Sequence, residues 1–155
     1  PQAEGKLGTV TFGGDVHTPT EASIIGVSGT ASVGTVTASG TGLTIAATYT
    51  VTVVSTGYGN KYYIDGVQQA TVNLSEGSTY RFDQSDSSNS GHPLRFSTTS
   101  NGTHGGGSEY TTGVTTNGTP GSSGAYTQIT VAVGAPTLYY YCTNHSGMGG
   151  QANTP

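Results

Sequence analysis

Three residue types that are rare in this chain lie together near its end, in the stretch YYYCTNHSGMGG at residues 139–150. The chain has 1 cysteine and 1 methionine in 155 residues, and two residues separate Cys142 from His145 and His145 from Met148. A thiolate and a thioether are soft metal ligands, and imidazole suits copper as well as zinc. Because the neighbouring glycines permit a tight backbone, so short a loop can direct all three donors at one point. The pattern therefore indicates a metal site.

The strand that precedes this loop supports the same interpretation. In TLYYYC, strand alternation places Leu138, Tyr140 and Cys142 on one face. Tyr139 and Tyr141 lie on the other face, so the cysteine shares a face with predicted core residues. A single cysteine excludes an intrachain disulfide, which leaves a buried inert thiol, a reactive thiol or a metal ligand. The adjacent histidine and methionine favour the ligand.

A second imidazole must come from another part of the chain. One cysteine, two histidines and a weakly held axial methionine form a trigonal blue-copper arrangement. The candidate is His92, which lies just before a predicted strand in NSGHPLRFS. Zinc is the rival ion, because one cysteine and two histidines can hold it tetrahedrally with a fourth ligand. Met148 argues against zinc, since thioether sulfur suits copper far better.

The remaining pattern predicts a nearly all-β chain. Threonine and valine alternate in GTVTF, GTVTAS and TYTVTVVS, which is typical of half-buried strands, and no stretch has a sustained apolar period near 3.6. Further strands are predicted on both sides of an Asp65-Gly66 turn and a Glu76-Gly77 turn, and in PLRFS, AYTQITVAV and TLYYYC. Short strands joined by glycine and asparagine turns favour a sandwich or a barrel.

Two segments differ from this pattern. Residues 1–46 are rich in Gly, Thr, Ser and Ala with few large apolar side chains, and we expect an N-terminal arm or accessory strands there. Residues 47–155 form the predicted domain. Within it, residues 97–124 are a long polar excursion. Because long structureless loops are uncommon in compact domains, this excursion is predicted to be functional, docked, or to contain short strands.

Two stretches carry a family resemblance: GSTYRFDQSDSSNSGHPLRFS and APTLYYYCTNHSGMGG resemble the cupredoxins, the small blue copper proteins. The spacing of the last three ligands is most similar to the short, amicyanin type of loop in that family. The resemblance covers roughly residues 48–152. It implies a Greek-key β-sandwich that binds copper, with His92, Cys142 and His145 as equatorial ligands and Met148 as the axial ligand.

A second resemblance concerns function. The stretches GNKYYIDGVQQ, YRFDQSDSSNSGHPLRFSTTS and LYYYCTNHSGMGG are similar to segments of virion structural proteins of marine cyanobacterial phages, which carry cupredoxin-like modules. This implies a capsid-decoration or tail-associated module at the virion surface or outside the cell. Its arm would bind other virion proteins or copies of itself. Such a module could bind copper for stability, or keep the ligands as a packed remnant.

The alternative is a soluble blue copper electron-transfer protein, periplasmic, with a redox protein as partner. The leading arm, the long polar loop and the low charge favour the structural role, because carriers usually present charged or clearly apolar docking patches. The residues around His145 are Ser146, Gly147 and Gly149, which supply neither charge nor bulk.

Composition excludes several other function classes. Charged residues make up 8% of the chain, against about 25% in typical proteins. With 4 Lys and Arg and a net charge of −4, no basic patch is expected, so nucleic acid is not a predicted partner. No apolar run approaches the roughly 20 residues of a membrane span. No nucleophile frame or phosphate-binding loop is present, so no catalytic residue is predicted and the chain is not expected to be an enzyme.

Four polar loop residues receive modest roles. His17 and His104 lie among glycines and polar residues and are predicted to be solvated. Asp83 and Asp86, in DQSDSSNSG, are predicted to bond backbone N–H groups and so fix the loop before His92. The same stretch lacks the glycine and the final glutamate of a calcium loop, so that motif is rejected.

Overall fold

The computed structural model describes residues 43–155, so the predicted arm at 1–46 and His17 lie almost entirely outside the described residues. Nearly all regular structure within this range is β, as predicted, and the exceptions are two short 3₁₀ helices, Ser87–Asn89 and Gly102–Gly105. The strands are β1 (Ile45–Thr56), β2 (Gly59–Ile64), β3 (Val67–Gln68), β4 (Val72–Asn73), β5 (Thr79–Asp83), β6 (Leu94–Ser97), β7 (Glu109–Tyr110), β8 (Val114–Asn117), β9 (Tyr126–Thr130), β10 (Leu138–Cys142) and β11 (Gly150–Asn153). No helix among residues 43–155 has the length and hydropathy to cross a membrane.

The strands form two mixed sheets. One sheet has the order β3-β2-β1-β5-β9-β8, and the other has the order β4-β11-β10-β6-β7. The β1–β5 and β11–β4 pairs are parallel, and the other pairs are antiparallel. Strand β10, which ends at Cys142, is the central strand of the second sheet. Its neighbours β11 and β6 therefore hold it from both sides.

One hydrophobic cluster joins the two sheets into β-sandwich-like layers. Tyr62, Tyr80 and Tyr140 supply part of this cluster. Phe82 of β5 contacts Phe96 of β6 edge to face, with ring centroids 5.3 Å apart. The ring centroids of Tyr62 and Tyr140 are 6.3 Å apart. The buried Tyr62 and Tyr140 hydroxyls donate to the backbone carbonyls of His92 and Ala70, respectively. Each buried hydroxyl is thus paired, as buried polar groups need to be.

The predicted Asp65-Gly66 turn is confirmed. The two residues have φ values of 49° and 82°, as a tight two-residue hairpin requires. The Asp65 carboxylate also accepts a hydrogen bond of 2.7 Å from the N–H of Thr50. Local turn chemistry therefore sets the register of β2 and β3.

The long polar excursion contains short elements, which is one of the predicted alternatives. The second 3₁₀ helix, β7 and β8 all lie within residues 97–124. Strand β11 was not predicted, because GQAN has no apolar alternation. It forms by pairing with β10 and β4, and it buries Ala152 in the core.

Candidate metal centre

The structure brings three of the predicted ligands together. Cys142 Sγ lies 3.8 Å from His92 Nδ1 and 3.6 Å from His145 Nδ1. The imidazole centroids are 4.5 Å apart, and one ligand atom from each of the three residues lies within 4.8 Å of the others. The His92, Cys142 and His145 group can therefore hold a metal ion.

The distances between these atoms fit a single ion. A metal bound about 2.3 Å from sulfur and about 2.0–2.1 Å from nitrogen, at angles of about 110–120°, separates the two donors by about 3.6–3.8 Å. The two sulfur–nitrogen distances, 3.6 and 3.8 Å, span that range. One ion can thus contact all three donors with little movement of the side chains.

Met148 lies on the buried side of the same loop. Its side chain is fully buried and belongs to the same hydrophobic cluster as Cys142. Its carbonyl oxygen accepts a hydrogen bond of 2.9 Å from the N–H of Tyr62, which ties the end of the ligand loop to β2. Axial coordination by Met148 stays a prediction.

Strand register explains why His92 reaches Cys142. In the β6–β10 pair, Cys142 lies opposite Leu94, and the N–H of Thr143 donates to the Pro93 carbonyl at 3.1 Å. His92 therefore lies just before the start of β6, beside the end of β10 at Cys142. Two ligands that are distant in sequence meet at one end of the second sheet.

The aspartates before His92 act as predicted. The Asp83 carboxylate accepts a hydrogen bond of 2.8 Å from the N–H of Ser85, and the Asp86 carboxylate accepts one of 2.9 Å from the N–H of Ser88. Asp86 thereby caps the first 3₁₀ helix, which leads directly to His92. The loop before His92 is fixed by bonds within itself.

A buried amide network behind His92 was not predicted. Gln84 and Asn89 are 1% and 0% exposed. The Gln84 amide donates to the His92 carbonyl at 2.8 Å and to Asn89 Oδ1 at 3.1 Å, and its oxygen accepts from the N–H of Leu94 at 3.0 Å. The Asn89 amide donates to the Val51 carbonyl at 2.7 Å. These bonds hold the backbone on both sides of His92, and only the tertiary structure reveals that two amides from a polar stretch are buried.

The loop that carries His145 is held from several sides. The Gly147 carbonyl accepts hydrogen bonds from Lys61 Nζ at 2.7 Å and from Gln69 Nε2 at 3.2 Å. Asn144 donates to the Gly91 carbonyl at 2.9 Å, which joins the two ligand-bearing loops directly. Gly149 lies so close to β10 that a Cβ atom there would overlap the backbone of Tyr140. The tight backbone predicted from the glycines is needed at this position.

The three ligands differ in exposure. Cys142 is fully buried, His92 is 9% exposed, and His145 is exposed. Burial, and then the neighbouring His145, lower the pKa of His92. Both influences favour neutral imidazole, which is the form that binds metal. Solvent thus reaches the cluster mainly at the ring of His145.

His104 does more than the sequence indicated. His104 is exposed, as predicted for a solvated loop histidine, but its Nε2–H also donates to the Cys142 carbonyl at 2.9 Å. Its ring also meets the Tyr141 ring edge to face, at 6.4 Å between centroids. No signal in NGTHGGGSE identifies this contact, because it depends on how the 97–113 segment folds over β10.

No protein-family model matches this chain, and neither a curated protein nor a solved structure is significantly similar to it.

Proposed function

We propose that residues 43–155 form a cupredoxin-like domain that binds one copper ion through His92, Cys142 and His145, with Met148 as a weak axial ligand. The observation that carries the proposal is the convergence of one buried thiol and two imidazole nitrogens at 3.6 and 3.8 Å. Strand β10, which ends in the cysteine and is followed by a short loop with two of the other donors, supports the cupredoxin assignment.

The donor set favours copper over zinc. A structural zinc site has four protein ligands, usually cysteine or histidine. Among the described residues, this group has three members of the His, Cys, Asp and Glu kind, and no carboxylate joins it. The remaining candidate donor is the Met148 thioether, which suits copper.

The geometry supports one-electron transfer as the function of the site. Copper held by such a donor set supplies reversible one-electron chemistry. The chain fixes Cys142 by strand pairing and His92 by buried hydrogen bonds, so the ligands need to move little. The exposed ring of His145 gives a short path from the buried thiol to a redox partner at the surface.

A structural role on a virus particle is the second candidate, and exposed apolar side chains favour it. Tyr58, Val133 and Val67 are 93%, 86% and 58% exposed. Contacts of these side chains with other virion proteins, or with copies of this chain, would remove them from water. In that role a bound metal would stabilise the domain, because it binds the folded chain preferentially.

Copper titration of the purified chain tests the proposed site. We expect one equivalent of cupric ion to produce an intense visible absorption from the Cys142 thiolate. Cys142→Ser should abolish this absorption, and circular dichroism of the variant should show that the fold persists. An unchanged absorption spectrum in Cys142→Ser would rule out the ligand assignment.

A second experiment separates the two candidate functions. Fast electron self-exchange by a copper-loaded monomer supports the electron carrier. A colourless protein that imaging finds in repeated copies on particles supports the structural module.

A further inference from the structure

Residues 99–107, here named the clamp segment, lie against the ligand loop without supplying a ligand. The segment follows β6 and contains the second 3₁₀ helix. It is bonded internally, with hydrogen bonds from the N–H of Gly102 to the Thr99 carbonyl at 2.9 Å and from the N–H of Gly107 to the Gly102 carbonyl at 3.0 Å. It is therefore a folded element rather than a loose loop.

The clamp segment packs closely on β10. A Cβ atom at Gly102 would lie 2.5 Å from the ring of Tyr141, a distance that no side chain permits. Tyr141 is only 1% exposed, although strand alternation predicted that it faces away from the core. The segment thus covers the outer face of β10 at the strand end that carries Cys142.

Asn101 holds the turn between two proposed ligands. Its Oδ1 accepts a hydrogen bond of 2.8 Å from the N–H of Gly147, and its Nδ2 donates to Ser146 Oγ at 2.8 Å. Gly147 has a φ of 76°, so it is the point at which the chain reverses between His145 and Met148. One side chain therefore fixes this turn through two bonds.

His104 holds the other end of the same loop. Because a carbonyl oxygen only accepts, His104 must carry its proton on Nε2 when it bonds the Cys142 carbonyl. This bond reaches the backbone of the proposed sulfur ligand at the last residue of β10. His104 and Asn101 thus bond the loop near its start and near its centre, respectively.

We propose that the clamp segment holds the ligand loop in its metal-binding conformation independently of the metal, with Asn101 and His104 as positioning residues. This inference rests on the proposed function for its link to copper. A loop fixed in advance loses less conformational freedom when an ion binds, and groups that orient ligands tune affinity by about 10–100-fold. The long polar excursion in the sequence thereby acquires a role.

Substitution of Asn101 tests whether its side chain holds the turn at Gly147. Asn101 has a φ of 63°, so Asn101→Gly keeps that backbone conformation accessible while it removes both hydrogen bonds. We expect hydrogen–deuterium exchange at the Gly147 amide of the copper-free protein to become at least about tenfold faster. Copper dissociation from the loaded protein should become about tenfold faster as well. Asn101→Asp keeps the acceptor for Gly147 and should restore slow exchange.

Asp65→Gly is the matched control. Asp65 also has a positive φ, 49°, and its side chain also accepts a backbone N–H, that of Thr50. This variant should leave exchange at Gly147 and copper dissociation as in the unaltered protein. The comparison separates loss of the Asn101 bonds from the general effect of a new glycine.

His104→Phe tests the second contact. Phenylalanine can keep the edge-to-face packing on Tyr141 but cannot donate to the Cys142 carbonyl. We expect a shifted visible absorption maximum and faster copper dissociation. If Asn101→Gly fails to fold, His104→Phe tests the positioning role by itself.

The inference and the proposed function fail in different ways. Unaltered Gly147 exchange in folded Asn101→Gly, or unaltered dissociation and spectrum in folded His104→Phe, would overturn the positioning role. An unaltered chain that takes up no copper would instead overturn the proposed function. Amide exchange would then still decide whether the clamp segment orders the loop.

Discussion

The two ligand-bearing loops are held in contrasting ways. The loop before His92 rests on the buried amides of Gln84 and Asn89. The loop of His145 is held by side chains from other segments, among them Lys61 and Asn101. One loop is therefore fixed by buried amides of its own segment, whereas the other is fixed by side chains that other segments supply. Loss of the buried amides should lower global stability, and loss of the side chains that bond the His145 loop should mainly alter the site.

The largest expected difference in unfolding free energy is between alanine substitutions at two glycines, one in each loop, because only one of them packs closely against backbone. A Cβ atom at Gly149 would overlap the Tyr140 backbone, whereas one at Gly91 would meet no atom within 4 Å. Gly149→Ala should lower the free energy of unfolding by about 3 kcal/mol or more. Gly91→Ala, at a φ of 76°, should cost only about 1–2 kcal/mol of left-handed strain. Urea denaturation measures both, and equal losses would contradict the close approach at Gly149.

Substitution in the buried amide network is expected to have the next largest effect on the unfolding free energy. Gln84→Ala leaves the buried N–H of Leu94 without its acceptor, so we expect a loss of about 2–3 kcal/mol in unfolding free energy. Gln69→Ala, which removes a partly buried amide bonded to Gly147 and Gly149, should cost less than about 1 kcal/mol. Thermal and urea unfolding of the copper-free variants check the difference. A larger loss from Gln69→Ala would contradict the contrast between buried amides and bonds from other segments.

Removal of a single hydroxyl behind His92 should lower the unfolding free energy by an intermediate amount. Tyr62→Phe keeps the buried ring but removes the donor to the His92 carbonyl, which retains the Gln84 bond. We expect a loss of about 1 kcal/mol in unfolding free energy. Denaturant titration measures it, with Tyr63→Phe as control because the Tyr63 hydroxyl bonds only the exposed Gln68 side chain. Equal losses in the two variants would show that burial of the hydroxyl does not matter.

The smallest loss of stability is expected for a side chain that bonds the His145 loop from another segment. Lys61→Ala removes one of two donors to the Gly147 carbonyl, and Gln69 remains. The unfolding free energy should fall by about 0.5 kcal/mol, at the low end for hydrogen bonds. Copper dissociation from Lys61→Ala, measured by stopped flow, should be clearly faster than from the unaltered protein. A stability loss as large as that of Gln84→Ala would mean that the bond from Lys61 stabilises the fold as much as the buried amides do.

Local patterns predicted much of the fold. Alternation identified β1, β5 and β10, and the Asp-Gly dipeptide identified the β2–β3 hairpin. The pattern failed at β11, whose polar residues become a strand only because β10 and β4 supply partners. Alternation placed Tyr141 on the face away from the core, but it did not predict that the clamp segment buries this side chain there. Such outcomes depend on neighbours that are remote in sequence.

The sequence by itself determined the donor types and the spacing of Cys142, His145 and Met148, because a short loop constrains residues that are close in the chain. It also determined the turns at Asp83 and Asp86, where each side chain bonds a backbone group two residues away. Only the tertiary structure decided that His92 meets Cys142, since the register of β6 against β10 sets that approach. The physical reason is that hydrogen bonds and packing between distant segments depend on the pairing of whole strands, which no local pattern records.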